Sequence, residues 1–444
     1  MKRRDFIKKA GATAAASVVM PYILPSGRLF AASGRQTSEH VVMVMFAGGV
    51  RQQESILQRY LDDSQVNEPY PGNIMYNMFN GLPPEQKIVY GTGQGGINPI
   101  PQLLDTSLQS QGTIFSEVSA LSAGHFGGLN SLIQGSTVTT QGLKQRPMNP
   151  TIFEYLRRHG GYNATDMWFI GNGISNSIPL LNYSGHPDYG AGYGANFFAP
   201  TTTFAETCEQ YLGDAKVYHP ENELGPMYQM KYFLDNSFDQ YADGLLSLGN
   251  TEAEKQSIKE FIKEMYTKTN NGTLAMPPLT DNGDTATIGY ACETMKWFKP
   301  ALTVVNLNGV DTCHSNFSGY VSNLHRADHA VGHLWNYIQN EIPEMANNTT
   351  LIVTPECGRN LMPNNILDEN DWRSYDHSDQ NSLRVFTQLV GPSIPSNLII
   401  GSEGNPIGKV TDSMMTIADV LGVKNEVQAA GLVAPGTQSL LEQI

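Results

Sequence analysis

Six short apolar runs, each stopped by glycine or by a polar cluster, limit what this chain can fold into. They lie in "HVVMVMFAGG" (40–49), "TIFSEVSALSAGHFGGLNSLIQGS" (113–136), "TDMWFIGNG" (165–173), "PALTVVNLNG" (300–309), "TTLIVTPECGRN" (349–360) and "RVFTQLVGP" (384–392). Continuous β-branched and apolar runs of this length read as strands buried on both faces. Helical patterns fall between them: "NPTIFEYLRRHGGY" (149–162), "SNLHRADHAVGHLWNYIQNEI" (322–342) and "VTDSMMTIADVLGV" (410–423). Strands alternating with helices predict an α/β fold, with a mainly parallel central sheet and helices on both faces. Between 175 and 290 the chain turns aromatic and glycine-rich ("YSGHPDYGAGYGANFFAP"), then polar and helical ("NTEAEKQSIKEFIKEMYTKTNNGT"). That segment reads as a cap or insertion on a domain spanning 34–444.

The first 33 residues read as an address and not as fold. "KRRDFIKKAGATAAASVVMPYILPSG" has a twin arginine, an aromatic soon after, and a short Ala- and Gly-rich apolar stretch. This is the pattern of a twin-arginine export signal, and it predicts a partner in the twin-arginine export machinery and a periplasmic or extracellular location. The apolar stretch is too short and interrupted for a stable membrane span. Removing the leader takes the net charge from −14 to about −19, because Lys2, Arg3, Arg4, Lys8, Lys9 and Arg28 leave with only Asp5. Such a surface repels nucleic acid and anionic lipid. A metal or a local arginine can still attract a small anionic substrate. The four cysteines are too scattered for a disulfide scaffold, though an oxidising compartment allows a Cys313–Cys357 bridge in competition with metal binding.

The chemistry-bearing residues cluster beside strand ends. "GVDTCHSNF" follows the 300s strand, "PECGR" follows the 350s strand and "YDHSD" precedes the 380s strand. They offer Asp311, His314, Glu356, Cys357, Asp376 and His377, the side-chain types that hold zinc-like divalent ions. The bland alternative is a buried polar network tying loops together. His325, His329 and His333 recur every four residues and share a helix face, which suits either an ion or an ordinary half-exposed surface.

The order of "VVMVMFAGG", "HFGGLNSLIQG", "PTIFEYLRR", "GVDTCHSNF", "TLIVTPECGR", "DHSDQNSLRVFTQLVGP" and "DSMMTIADVLG" resembles the alkaline-phosphatase-like superfamily of phosphatases, sulfatases and phosphoglycerate mutases. Within it, "GVDTCH", "ECGR" and "DHSD" look closest to a poorly characterised group that travels by the twin-arginine route. The resemblance implies an exported, metal-assisted hydrolase or transferase of phosphate or sulfate esters. Asp311, His314 and His377 match the holders of one divalent ion, probed first as zinc. Ala47 stands where the family has a ligand aspartate, and Glu356-Cys357 replace an Asp-His ligand pair, so the site is altered. His125 falls near the family's nucleophile, with Ser122 and Ser131 beside it; it reads equally as acid/base, phosphoryl acceptor or structural residue. Glu356 reads as ligand or base, and Arg359 as an anion clamp or a pin for Glu356. The alternative function is a non-catalytic binding or structural protein that retains the fold.

Overall fold

The computed structural model describes residues 22–23, 29–30, 36–59, 72–84, 100–140, 146–172, 181–204 and 248–444. The expected export leader lies outside the described residues, apart from an antiparallel pairing of Tyr22–Ile23 with Leu29–Phe30.

One central sheet contains β1 (His40–Phe46), β2 (Thr113–Ser119), β3 (Met167–Gly171), β4 (Asn196–Phe198), β5 (Leu302–Leu307), β6 (Thr349–Pro355), β7 (Arg384–Val390) and β8 (Leu398–Ile400). Their spatial order is β8-β2-β7-β6-β1-β5-β3-β4. Every pairing is parallel except those of β7, which runs antiparallel to β6 and β2. The expected α/β architecture is therefore present, and each of the six apolar runs supplies a strand.

The central strand shows why both faces are covered. Val42, Val44 and Phe46 of β1 enter one core, and Val41, Met43 and Met45 enter the other. Burying a side chain of this size contributes about 1.5–3 kcal/mol, so neither face can be left to water. The helices that the argument needs are α1 (His125–Gln134), α2 (Ile152–Tyr155), α3 (Glu252–Asn271), α4 (Gly283–Phe298), α5 (Phe317–Glu341) and α6 (Thr411–Val420). Apolar residues of α3, α4 and α5 fill the first core, and those of α1, α2 and α6 fill the second. Of the segment expected as a cap, the described residues join this body. Strand β4 extends the sheet beyond β3, and Phe261 of α3 packs its ring against Trp168 and Phe298.

The histidine stripe on α5 staples loops. His325 Nδ1 lies 2.6 Å from the Ile74 carbonyl, His329 Nδ1 3.1 Å from that of Pro101, and His333 Nε2 3.0 Å from that of Ala275. His325 Nε2 and His329 Nε2 also accept the Ile100 and Leu279 amides. Those rings are committed to backbone partners, which excludes the shared-ion reading of the stripe. Asp328 does the same work for residues 77 and 78. It accepts Asn77 N at 3.0 Å, Asn77 Nδ2 at 2.9 Å and Met78 N at 2.8 Å. Among the described residues no helix is long and apolar enough to cross a membrane.

The register lines up the strand ends that matter. Phe46 stands opposite both Leu307 and Pro355, and Ser119 stands opposite Arg384. Loops leaving β1, β2, β5 and β6 therefore emerge at one edge. Because β7 runs backwards, the loop entering it starts from that same edge.

Candidate metal centre

His125 opens α1 six residues beyond β2. The turn before it is fixed by Ser122, whose hydroxyl accepts the Gly124 amide at 3.0 Å. Ser131 donates its hydroxyl to the Gly127 carbonyl inside the helix at 2.7 Å. Both serines are thus held in local backbone bonds. Helix α1 approaches β6 closely because Gly128 lacks a side chain: a Cβ there would lie 2.5 Å from the Glu356 carbonyl oxygen.

Glu356, directly after β6, is fully buried and turns toward the end of β1. Its carboxylate accepts Gly48 N at 2.7 Å and Gly49 N at 3.4 Å. Both glycines have positive φ, +123° and +76°, which aims successive amides at one anion. A Cβ on Gly48 would also sit 2.4 Å from Asp311 N. The Glu356 carboxylate takes a third bond from His125 Nδ1 at 2.8 Å. That leaves His125 Nε2, itself buried, 3.0 Å from Asp311 Oδ1 but off the line of a ring hydrogen bond.

His314 repeats the arrangement. Its Nδ1 lies 2.8 Å from Asp376 Oδ1, and its Nε2 lies 3.4 Å from Asp311 Oδ1. Tyr375 N donates to the Cys313 carbonyl at 2.9 Å, which straps the His377 loop to the His314 loop. The His377 ring then sits 4.0 Å from that of His125 and 4.9 Å from that of His314, centroid to centroid. Among the described residues the buried Nδ1 of His377 has no hydrogen-bond partner. One ligand atom from each of His125, His314 and His377 lies within 4.8 Å of the others, a spacing that suits a shared cation.

The residues fit a divalent ion in their outer contacts as well. Ligating imidazoles almost always pass their second ring N–H to a carboxylate or carbonyl, which fixes tautomer and orientation. Glu356 does this for His125, and Asp376 does it for His314. The charges agree. Burial opposes a charged Asp311, but His125, Arg359 and His314 outweigh it and hold the carboxyl at about 2. Burial, with the charges of His125, Arg359 and His314, pushes His377 down to about 4, leaving a neutral ring. Burial also works against a proton on His125, yet its contacts with Asp311, Cys357 and Glu356 raise it to about 12. A cation would therefore have to displace that proton.

The expected site residues do meet. Asp311, His314 and His377 converge as the sequence implied, and His125 joins them as a prospective ligand. Glu356 has its oxygens bonded to two amides and an imidazole, and with His125 and Cys357 it forms a second group whose ligand atoms lie within 4.8 Å of one another. Cys357 is a thiol, 3.8 Å from His125 Nδ1, and burial with the Glu356 charge pushes it up to about 12. It lies on the Glu356 side of the ring, away from Asp311. Cys313 is also a free buried thiol, so the two cysteines are not bridged; Cys208 lies outside the described residues. Arg359 has no exposed side-chain surface. It donates to Asp311 Oδ1 at 3.0 Å, to the Tyr375 carbonyl at 3.2 Å and to the Gly48 carbonyl. The guanidinium thus pins Asp311 from below, and neither clamps an outside anion nor pins Glu356. Ala47 is buried in the core under α1.

No protein-family model matches the chain, and no curated protein matches it. It is similar to several solved structures. One is a protein in the alkaline phosphatase superfamily from Vibrio parahaemolyticus, 11% identical, covering 95% of this chain and 76% of that one, TM-score 0.38. The phosphonate monoester hydrolase of Agrobacterium radiobacter is 12% identical over 87% of this chain and 74% of its own, TM-score 0.41. A variant of the alkaline phosphatase PafA is 11% identical over 88% and 96%, TM-score 0.44.

Proposed function

We propose that this chain is an exported hydrolase of phosphate or sulfate esters that works with one divalent cation. The observation that carries the reading is the set of three imidazoles, two of them backed by carboxylates on the opposite ring nitrogen. His125, His314 and His377 would hold the ion, with the Asp311 carboxylate beside them to meet a bound water. Nitrogen-rich sets with one open position are those of catalytic zinc. When bound, such an ion supplies a Lewis acid and lowers the pKa of a coordinated water.

The protein's own residues set the rest. Glu356 and Asp376 fix the two imidazoles. Arg359 holds Asp311 ionised and in place. The exposure of side chains rises from none at Glu356 and Arg359 to 37% at His314 and 47% at Asp376, so an ester would approach over His314. Two-metal enzymes place a second ion close to the first. Here the Gly48 and Gly49 amides already face the Glu356 carboxylate, and their dipoles would oppose a cation, which supports a single ion.

Metal analysis of the purified protein, with turnover of phosphate and sulfate esters, tests the reading. One equivalent of metal and activity lost in His377→Ala support it; a protein that binds no divalent metal refutes it. A non-catalytic metal-binding protein is the second reading, favoured by the burial of Arg359. Stoichiometric metal without turnover of any ester would select it.

A further inference from the structure

The excursion from β6 to β7 carries the ligand His377 and also an outward-facing apolar surface. Leu361, Met362, Ile366 and Leu367 are 49%, 63%, 48% and 52% exposed, four large apolar side chains within seven positions. Single exposed apolar residues are ordinary, but a contiguous group marks a binding surface.

This loop is held rigidly. Asn364 N donates to the Ser374 carbonyl and Ser374 N to that of Ile366, closing a short hairpin at 2.8 and 2.9 Å. Asp368 at its tip accepts Ser318 N of α5 at 2.7 Å, and Leu361 N donates to Asp379 at 2.8 Å. Asn364 and Asp368 are spent on anchoring the loop, while Leu361, Met362, Ile366 and Leu367 face water beside exposed Asn365.

The anchor ties the surface to the metal centre. The Asn364 side-chain amide donates to the His314 carbonyl at 3.1 Å and to Asp376 Oδ2 at 3.2 Å, the carboxylate that orients His314. Ile366 N then donates to Asn364 Oδ1 at 2.9 Å. The residue in contact with the centre's most exposed rim, Asn364, thus lies within the apolar stretch, two positions from both Met362 and Ile366. Leu121, four positions before His125, is also exposed.

Resting on the hydrolase reading above, we infer that the 361–367 surface receives the apolar alcohol portion of a small, soluble ester whose anionic group sits at the metal centre. The substrate class is accordingly alkyl or aryl esters, in preference to esters of sugars or other polar alcohols. A preorganised apolar surface adds affinity without an ordering cost.

Binding of methylphosphonate and octylphosphonate to the metal-loaded full chain, followed by calorimetry, tests this. Burying about two methylenes gives a factor of ten, so the octyl ligand should bind at least about tenfold tighter. Combined Met362→Ser, Ile366→Ser and Leu367→Ser should close that gap with the metal content intact. Metal-loaded protein that shows no such preference, or binds neither ligand, overturns the inference and leaves the metal centre standing. A chain without metal overturns the hydrolase reading and the inference with it. Co-sedimentation with phosphatidylglycerol vesicles that the triple variant abolishes would assign the surface to lipid, and would also overturn it.

Discussion

Gly128→Ala sets two effects against each other at the metal centre. Alanine is the better helix former, worth up to about 1 kcal/mol over glycine in a helix interior. Here, however, the added Cβ would lie 2.5 Å from the Glu356 carbonyl oxygen, 2.8 Å from its Cγ and 2.9 Å from its carbonyl carbon. Ordinary contact needs about 3.5 Å, so α1 must back away from β6 by roughly 1 Å. Glu356 cannot yield easily, since Gly48 N and His125 Nδ1 hold it at 2.7 and 2.8 Å. Overpacking of this kind costs about 1–3 kcal/mol, which exceeds the propensity gain. His125 lies one turn earlier on the same helix and would move with it. The variant should therefore melt slightly lower and bind Zn²⁺ at least about tenfold more weakly, the scale found for disturbed outer contacts of metal sites. Competition with a chromophoric chelator measures the second effect, and thermal unfolding in chelator measures the first. A Gly128→Ala protein with undiminished metal affinity would refute the claim that α1 is set by contact with Glu356.

Glu356→Gln places an amide N–H₂ against at least one of three donors, and metal affinity should fall about 10- to 100-fold in chelator competition. Asp328→Asn faces the same mismatch with Asn77 and Met78; unfolding in urea should show a loss of about 1–3 kcal/mol, with metal affinity unchanged. Burial pushes His325 down to about 4 from an ordinary 6.5. The unfolded chain then takes up a proton there before the folded one does, so stability present above pH 6.5 is lost as pH falls toward 4. By pH 5 the loss is about 2 kcal/mol, and His325→Gln should flatten the melting profile between pH 7 and 5 relative to the parent.

The strands were legible because apolar runs of their length leave few alternatives, and the strand-end clusters were legible by residue type. Their convergence was not. A cluster that precedes a parallel strand would sit at the opposite edge from one that follows it. "YDHSD" joins "GVDTCH" only because β7 is antiparallel, and nothing in the "RVFTQLV" pattern gives direction. The role of Glu356 was hidden for a related reason. A carboxylate after a strand suits a ligand or a base equally, until the Gly48 and Gly49 amides are seen to occupy it. "FAGG" after a strand and "HFGG" at a helix start were the available signals, since paired glycines mark close backbone approach. Arg359 followed a ligand position in sequence, and only the packed loops show that it points inward.

The bond between Gly48 and Glu356 spans 308 positions. Closing so long a loop is entropically costly, and the pairing of β1 with β6 closes it over the same span. No fragment ending before residue 377 can therefore build the centre. Uptake of a cation would serve as a marker of finished folding, and withholding the ion should leave the sheet intact while the rim loops exchange amide hydrogens faster.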